Sequence, residues 1–449
     1  MPKRPYKLPK PLLCAPEEVE NGVSMELAAE YIQKHEARLP RYHYLESLYD
    51  GFHDVYNQPE KERWKPDNRL AVNFPRYITD TFLGYAYGIP IKKSHPEEKI
   101  NQVFQTFERD NEITDHEFEL AKRCCIYGHA WEYVYQDEEA NTKLTICSPK
   151  ELFTVYDDTV RGRALFSVRY GYREDGYTRF GEILTPEEIK TFSGGDIQER
   201  RENPYGHIPV VEWMLNAERI GLFEEVAGLV EAYNHTIGEK ANDVDAFAEA
   251  YLAVLGAELD EEGVYKIRDN RIINLYGTDD AKDILVQFLQ KPTADGTQEN
   301  LLNRLERLIY QTSMVANISD ESFGSASSGV SLSYKLLAMS NLAKTFDRKI
   351  EKSLRKRYKL FCSLPANGVN PDAWRDVNVQ TARNLPKNQL EEAQTAAAME
   401  GLVSHKTQLS VLSVVADPAE ELKQLQQEEL EQMKAADYLI YGDATDDQP

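Results

Sequence analysis

A mixed α+β fold, mainly helical, is predicted by three features of the sequence. Apolar residues recur every three or four positions from Leu222 to Leu255 and again from Leu332 to Phe361, the spacing of one buried helix face. Short β-branched and aromatic runs separated by turn signals fill residues 129–213, which is strand patterning. With 449 residues, 41% hydrophobic and 10% aromatic, the chain is long enough for two or three domains with sizeable cores and does not have the composition of a disordered polymer.

The elements follow in order. Residues 1–23, basic and broken by prolines, read as a flexible arm and lack the long apolar core of a signal peptide. Ser24 is placed to cap a helix over SMELAAEYIQKHEARL, and Tyr42, Leu45, Leu48 and Tyr49 continue at helical spacing until Asp50-Gly51. The polar stretch NQPEKERWKPDNR is a loop leading to a helix that Asn73 caps. Its residues Ile78, Phe82 and Tyr85 face inward, and Gly88 and Pro90 stop it. One more helix is expected over 97–126. WEYVY, KLTIC, LFTVY, ALFSVRYGY, YTRFGEIL and VVEWM are then strands of an antiparallel unit, with turns at Asp157-Asp158 and Glu174-Asp175-Gly176.

Residues 220–256 read as one long helix whose stripe is Leu222, Val226, Leu229, Tyr233, Ile237, Val244, Phe247, Tyr251 and Leu255. Glu224, Glu225, Glu231, Glu239, Asp243, Asp245 and Glu249 fall on its other side. Gly228 and Gly238 each weaken a helix interior by about 1 kcal/mol and mark a place for a bend. VYKI, RIINLY and ILVQFL are strand-like pieces of a small module over 257–297. A second helix, with Leu301, Leu305, Leu308, Thr312 and Val315 as its seam, stops near Asn317. The Ser-, Gly- and Asp-rich run ISDESFGSASSG is a loop. Beyond it Leu332, Leu336, Met339, Ala343, Phe346, Ile350, Leu354 and Phe361 share the inner face of a helix that, unbroken, spans about 45 Å. Lys344, Arg348, Lys349, Lys352, Arg355, Lys356 and Lys359 lie on the opposite face. LPANGVNPDAW is a break, DVNVQTA a strand, and the chain from Leu385 onward is helical, acidic and Gln-rich, with a helix start at Asp417, Pro418 and Glu420. The tail YGDATDDQP is expected to be disordered.

The formal charge of −23 leaves no global basic footprint, so any DNA such a chain handled would be channelled or repelled rather than gripped. An acidic helix side is a solvated face in a monomer; it becomes informative only if copies surround a common space. Cys14, Cys124, Cys125, Cys147 and Cys362 are odd in number and form no C-x-x-C pair, which argues for reduced thiols over a disulfide framework. No run approaches the roughly 18 apolar residues of a membrane span. Gly324 and Gly329 have the glycine spacing of a phosphate loop, but Val330-Ser331 stands where Lys-Ser/Thr is required. The nine histidines show no paired ligand spacing, and no G-x-S-x-G elbow occurs. No catalytic residue, metal ligand or cofactor is therefore predicted, and the chain does not read as an enzyme.

Several stretches together resemble the portal (head-to-tail connector) proteins of long-tailed double-stranded DNA bacteriophages. RLPRYHYLESLYDGFHDV followed by PDNRLAVNFPRYITDTFLGYAYGIPI is similar to the family's N-terminal signature, and AYNHTIGEKANDVDAFAEAYLAVLG to its first stem helix. SDESFGSASSGVSLSYKLLAM resembles its loop and long-helix start, and NLPKNQLEEAQTAAAMEGLVSHKTQLSVL the entry into its crown. The resemblance implies a portal-type architecture. Residues 24–218 would be the wing, 219–256 a stem helix, 257–297 the clip and 298–317 the second stem helix. The tunnel loop would be 318–330, the wing's long helix and strand 331–385, the crown 386–436 and the disordered tail 437–449. The tunnel-loop residues would be Ser319, Asp320, Glu321, Ser322, Phe323, Gly324, Ser325, Ser327, Ser328 and Gly329.

The resemblance further implies a homo-oligomeric ring of about twelve subunits at one capsid vertex. It would assemble in the host cytoplasm and pass double-stranded DNA during packaging and ejection. Its partners would be the terminase large subunit as packaging motor, the major capsid protein, a scaffolding protein and a head-tail adaptor. In such a ring the acidic stripe lines the channel, or faces outward, or pairs with a neighbour's bases. The basic face is solvated, or paired with an adjacent subunit, or in contact with packaged DNA. The alternative from another class is a soluble helical scaffold or adaptor with no DNA channel.

Overall fold

The computed structural model of the chain describes residues 10–62, 65–248, 251–255, 272–275, 285–289, 295–318, 329–385, 389–412, 414–415 and 418–441. The chain divides into two units, residues 1–325 with 332–383, and residues 326–331 with 384–449.

In the first unit the leading helices form where cap and apolar spacing agree. Ser24 accepts a hydrogen bond from the Leu27 amide at 3.2 Å and opens α1 (Met25–Glu36). Then α2 (Leu39–Asp50) ends at Gly51 in left-handed backbone. Asn73 caps α3 (Phe74–Tyr87) through the Arg76 amide, and Ile78, Phe82 and Tyr85 are buried as expected. The helix expected over 97–126 is instead two, α4 (Glu98–Asp110) and α5 (Ile113–Tyr127). Asn111 causes the break: its side-chain nitrogen donates to the Phe107 and Thr142 carbonyls while its oxygen accepts from the Leu144 amide. Those bonds tie the turn to a strand, and Glu112 follows at φ 47°.

The strands are β1 (Leu12–Cys14), β2 (Lys92–Ser94), β3 (His129–Gln136), β4 (Thr142–Cys147), β5 (Leu152–Asp157), β6 (Ala164–Tyr172), β7 (Arg179–Leu184), β8 (Glu188–Ser193), β9 (Asp196–Glu202) and β10 (Val210–Met214). One sheet has the order β1-β5-β6-β7-β8-β9 and another β10-β3-β4; all pairings are antiparallel except β1 with β5. The reading of residues 1–23 as a flexible arm is corrected by β1. Leu12 and Cys14 are buried on the sheet, and the Tyr31 hydroxyl donates to the Leu13 carbonyl at 2.6 Å. The sequence reading missed β8 and β9. In β9 the run Asp196–Glu202 is charged at most positions and exposed, so it carries no alternating apolar signal.

Apolar clusters hold this unit. Tyr31 and Ile32 of α1 pack on Phe153, Phe166, Val168 and Ile183 of the larger sheet. Trp131, Leu152, Leu184 and Val210 join the two sheets, and Phe104 and Phe107 of α4 pack against residues near 360. Each such large apolar side chain contributes about 1.5–3 kcal/mol on full burial.

The helix expected over 220–256 is shorter. It is α6 (Ala227–Ala248). Residues 222–226 are turns, because the Glu224 carboxylate accepts from the Gly221 amide at 2.9 Å and folds inward. Tyr251–Leu255, read as the end of that helix, is the strand β11; it runs parallel to β12 (Ile272–Leu275) and antiparallel to β13 (Leu285–Leu289). Its β-branched and aromatic content favours that state once partners are present. The expected VYKI strand lies outside the described residues. α7 (Asp295–Ser313) packs along α6 and ends before Asn317, with Met314 at φ 60°. Its buried seam is Leu302, Leu305, Ile309 and Ser313, a rotation that leaves Leu301 and Thr312 exposed.

The helix expected over 331–361 is also two, α8 (Gly329–Lys335) and α9 (Leu337–Ser363), joined at Leu336. α9 buries Met339, Ala343, Phe346, Ile350, Leu354 and Phe361 as its spacing demands. The expected DVNVQTA strand is β14 (Asn378–Gln380), paired with β2.

The second unit holds α10 (Gln389–Ala398), α11 (His405–Leu409) and α12 (Pro418–Tyr441). Ser404 caps α11 through the Thr407 amide, and Gln408 donates to the Ala396 carbonyl at 2.8 Å. Helix α12 starts at Pro418 as expected but continues to Tyr441, into the tail read as disordered from 437; residues 442–449 lie outside the described residues.

Candidate functional site

The acidic residues assigned to a channel wall are largely engaged by the chain itself. The polar loop after α2 doubles back along α6. On its outward arm the His53 ring donates to Glu231 (3.1 Å), the Asp54 amide donates to the same carboxylate (3.2 Å), Gln58 meets His235 (3.4 Å) and Lys61 pairs with Glu239 (2.7 Å). Its return arm runs the other way: Asn68 donates to Asp245 through its side chain and to Asn242 through its amide (2.6 Å), and the Val72 amide donates to Asn234 (2.8 Å). Arg69 joins the arms, donating to the Tyr56 carbonyl at 2.9 Å. Gly238 lets the return arm lie close, since a Cβ there would stand 2.9 Å from the Asn68 carbonyl oxygen. We call this loop the cuff. Spacings of four and three along α6 place its partners on one face, and α7 takes another, with Gln298 donating to Asp243 at 3.0 Å.

Glu224 is therefore a correction: its carboxylate is fully buried, gripped by Arg41 at 2.9 and 2.5 Å, and faces no solvent. A buried carboxylate persists only when so paired. Glu225 and Asp245 stay exposed, Glu231, Glu239 and Asp243 are partly covered, and Glu249 lies outside the described residues. Of the tunnel-loop residues, Ser319, Asp320, Glu321, Ser322, Phe323, Gly324, Ser325, Ser327 and Ser328 lie outside the described residues. Gly329, assigned to that loop, is the first residue of α8.

The seven cations of α9 divide. Arg355 pairs with Glu351 at 2.9 Å. Lys344, Arg348 and Lys352 are exposed in an i, i+4 series, where like charges disfavour a helix by about 0.2–0.5 kcal/mol per pair. Lys356 donates to the Val210 carbonyl at 2.7 Å; although its stem is exposed, its amine sits in a cleft, and desolvation there, with Lys352 and Lys359 nearby, pushes it down to about 8. The Lys359 amine stands 5.9 Å from the Trp374 ring centre. Arg348, Lys352, Lys356, Lys359 and Trp374 line one shallow groove of about 420 Å³.

Sequence reasoning missed the buried ion clusters. Arg357, between the exposed cations of α9, is fully buried, donating to Glu132 (2.6 and 3.0 Å) and Glu117 (2.5 Å) over the Trp213 ring. Lys93 also reaches Glu117 at 2.9 Å and His116 reaches Glu132 at 2.8 Å. Burial opposes ionisation of Glu132, but the Arg357 charge and the His116 bond outweigh it and hold the carboxyl at about 2. In a second cluster Glu212 accepts from Arg219 (2.6 and 2.9 Å), Tyr156 (2.6 Å) and His129 (3.1 Å). The one available signal was position: Arg357 falls on the apolar side of the α9 wheel, next to Leu354 and Phe361. The five cysteines are buried and free, and burial pushes the Cys147 thiol up to about 11. Among the described residues no His, Cys, Asp or Glu cluster could hold a metal ion, and no helix is long and apolar enough to cross a membrane.

Comparison with known proteins adds an independent line. The family model described as "Phage portal protein, SPP1 Gp6-like" matches residues 28–435. The portal protein of Bacillus phage SPP1 is 20% identical over 410 residues, covering 84% of this chain and 79% of that protein. Among solved structures, the neck of an empty GTA particle aligns with a TM-score of 0.45 at 10% identity, over 75% of this chain and 89% of that one. The virion of a native gene transfer agent particle aligns with a TM-score of 0.40 at 10% identity, over 75% and 88%. With the family match running from α1 into α12, this chain belongs to the SPP1 Gp6-like family of phage portal proteins.

Proposed function

We propose that this portal protein forms a closed ring of about twelve copies at one capsid vertex, through which double-stranded DNA is packaged and ejected. The family match over residues 28–435 carries this reading. In the ring, residues 24–218 and the α9 region serve as wing, α6 and α7 as stem, the module from β11 to β13 as clip, and the second unit as crown. Residues 318–328, between α7 and α8, border the narrowest part of the passage. The clip docks the terminase motor and later a head-tail adaptor; the ring body meets the major capsid and scaffolding proteins. Assembly takes place in the host cytoplasm.

Rotational symmetry presents the same helix face of every copy to the axis. Glu225 and Asp245, which stay exposed, then repel phosphates, so the duplex finds no sticky wall on which counterion release could trap it. The reading predicts that negative-stain images of the purified chain show rings with a central hole wide enough for a duplex. Compact monomers or filaments under every assembly condition would overturn it in favour of a scaffold or adaptor.

A further inference from the structure

The exposed side of α9 carries an unmatched charge. Lys344, Arg348, Lys349, Lys352, Lys356 and Lys359 form no ion pair among the described residues, although the chain has 75 acidic residues against 52 lysines and arginines. From Lys344 to Lys359 these cations extend about 22 Å along the helix. Like charges repeated at i, i+4 work against the helix, so a single copy holds an arrangement that only an outside anion relieves. Two classes of anion compete, the duplex and the carboxylates of another polypeptide. The second is favoured. A duplex approaching this face meets the field of a molecule at −23, while a second copy brings surplus carboxylates of its own. The groove beside these cations, about 420 Å³ with Trp374 as one wall, admits a few side chains and not a duplex.

We propose that the cationic face of α9, with the Trp374 groove, is a contact surface that receives a carboxylate-rich surface of a second copy of this chain. The contact is heterologous, cation face to acidic face, the kind that closes a ring instead of a two-fold dimer. It rests on the ring reading and specifies one of that ring's contacts.

The test is the triple variant Lys344→Glu, Arg348→Glu, Lys352→Glu, whose exposed positions leave the core untouched, with circular dichroism as the check on folding. Analytical ultracentrifugation across a salt series should show the folded variant assembling only at tenfold or higher protein concentration, with a flattened salt dependence. A zero-length carbodiimide cross-link on an assembled mixture of ¹⁴N and ¹⁵N chains should join Lys344, Lys349 or Lys352 to carboxylates of the opposite isotope. Fluorescence anisotropy with a duplex oligonucleotide should be the same for variant and parent. If the variant assembles as the parent does, and cross-links of mixed isotope avoid α9, the contact is refuted while the ring reading stands. A loss of duplex binding with assembly unchanged assigns the face to DNA and also refutes it. A parent chain that never assembles removes both this contact and the ring.

Discussion

At the scale of single residues, Arg357 decides how α9 meets the body. Its guanidinium neutralises Glu132 and Glu117 in a site with no water-facing side, so loss of the cation leaves two buried carboxylates with only Lys93 and His116 to offset them. Arg357→Met is expected to cost about 3–5 kcal/mol in urea unfolding, where an exposed control such as Lys352→Met costs under about 0.5 kcal/mol. His35 supplies a pH signature. It is fully buried between the Tyr170 hydroxyl and the Pro149 carbonyl, both at 2.9 Å, and desolvation pushes its imidazole down to about 3. An unfolded chain takes up that proton near the ordinary value of about 6.5, before the folded one does, so stability is full above that value and falls as the pH drops toward 3. Glu132, held at about 2, adds a loss below its ordinary range of about 4.3. Unfolding free energies measured from pH 7 to 4 should decline, and His35→Gln should flatten the part of that decline between pH 6.5 and 4.5. An unchanged slope would count against the neutral buried ring. None of these pairings was legible in the sequence, because Arg357 and Glu132 are 225 positions apart and only packing brings them together.

At the scale of elements, the cuff converts an acidic helix face into a docking strip for the chain's own loop. Exposed ion pairs contribute little individually, so its attachment depends on the backbone amides of Asn68 and Val72, which Asn242 and Asn234 accept. Asn234→Ala with Asn242→Ala should speed amide hydrogen exchange in residues 65–72 and leave α9 protected. Gly238→Ala should have the same local effect, even though alanine favours a helix by about 1 kcal/mol, because the new Cβ displaces the return arm. Exchange unaltered in that loop would refute the cuff. The caps at Ser24 and Asn73 and the stop at Gly51 were readable because each is a contact within a few positions. The cuff was not, since its loop has no periodicity and its partner helix lies 177 positions along. The ends of α6 were misread for a related reason: the spacing of Tyr251 and Leu255 fits a helix, but neighbouring strands claim that stretch for a sheet.

At the scale of the whole molecule, charge is the property that composition states most directly and structure redistributes most. Several of the acidic residues expected on a channel wall are paired or buried within the chain, which leaves Glu225 and Asp245 as the exposed carboxylates of the proposed wall. Assembled rings carrying Glu225→Lys and Asp245→Lys should retain duplex DNA at low salt and release it as salt rises, whereas parent rings retain little at either; equal retention would remove the repulsive wall. The amino-acid sequence by itself determined the mixed, mainly helical class, the position of most helices and strands, and the resemblance to phage portals, because these depend on spacings of two to four residues and on motif order. Tertiary structure alone decided which carboxylates are buried, which are strapped and which face solvent. A side chain's surroundings are set by elements that arrive from elsewhere in the chain, and no local pattern records them.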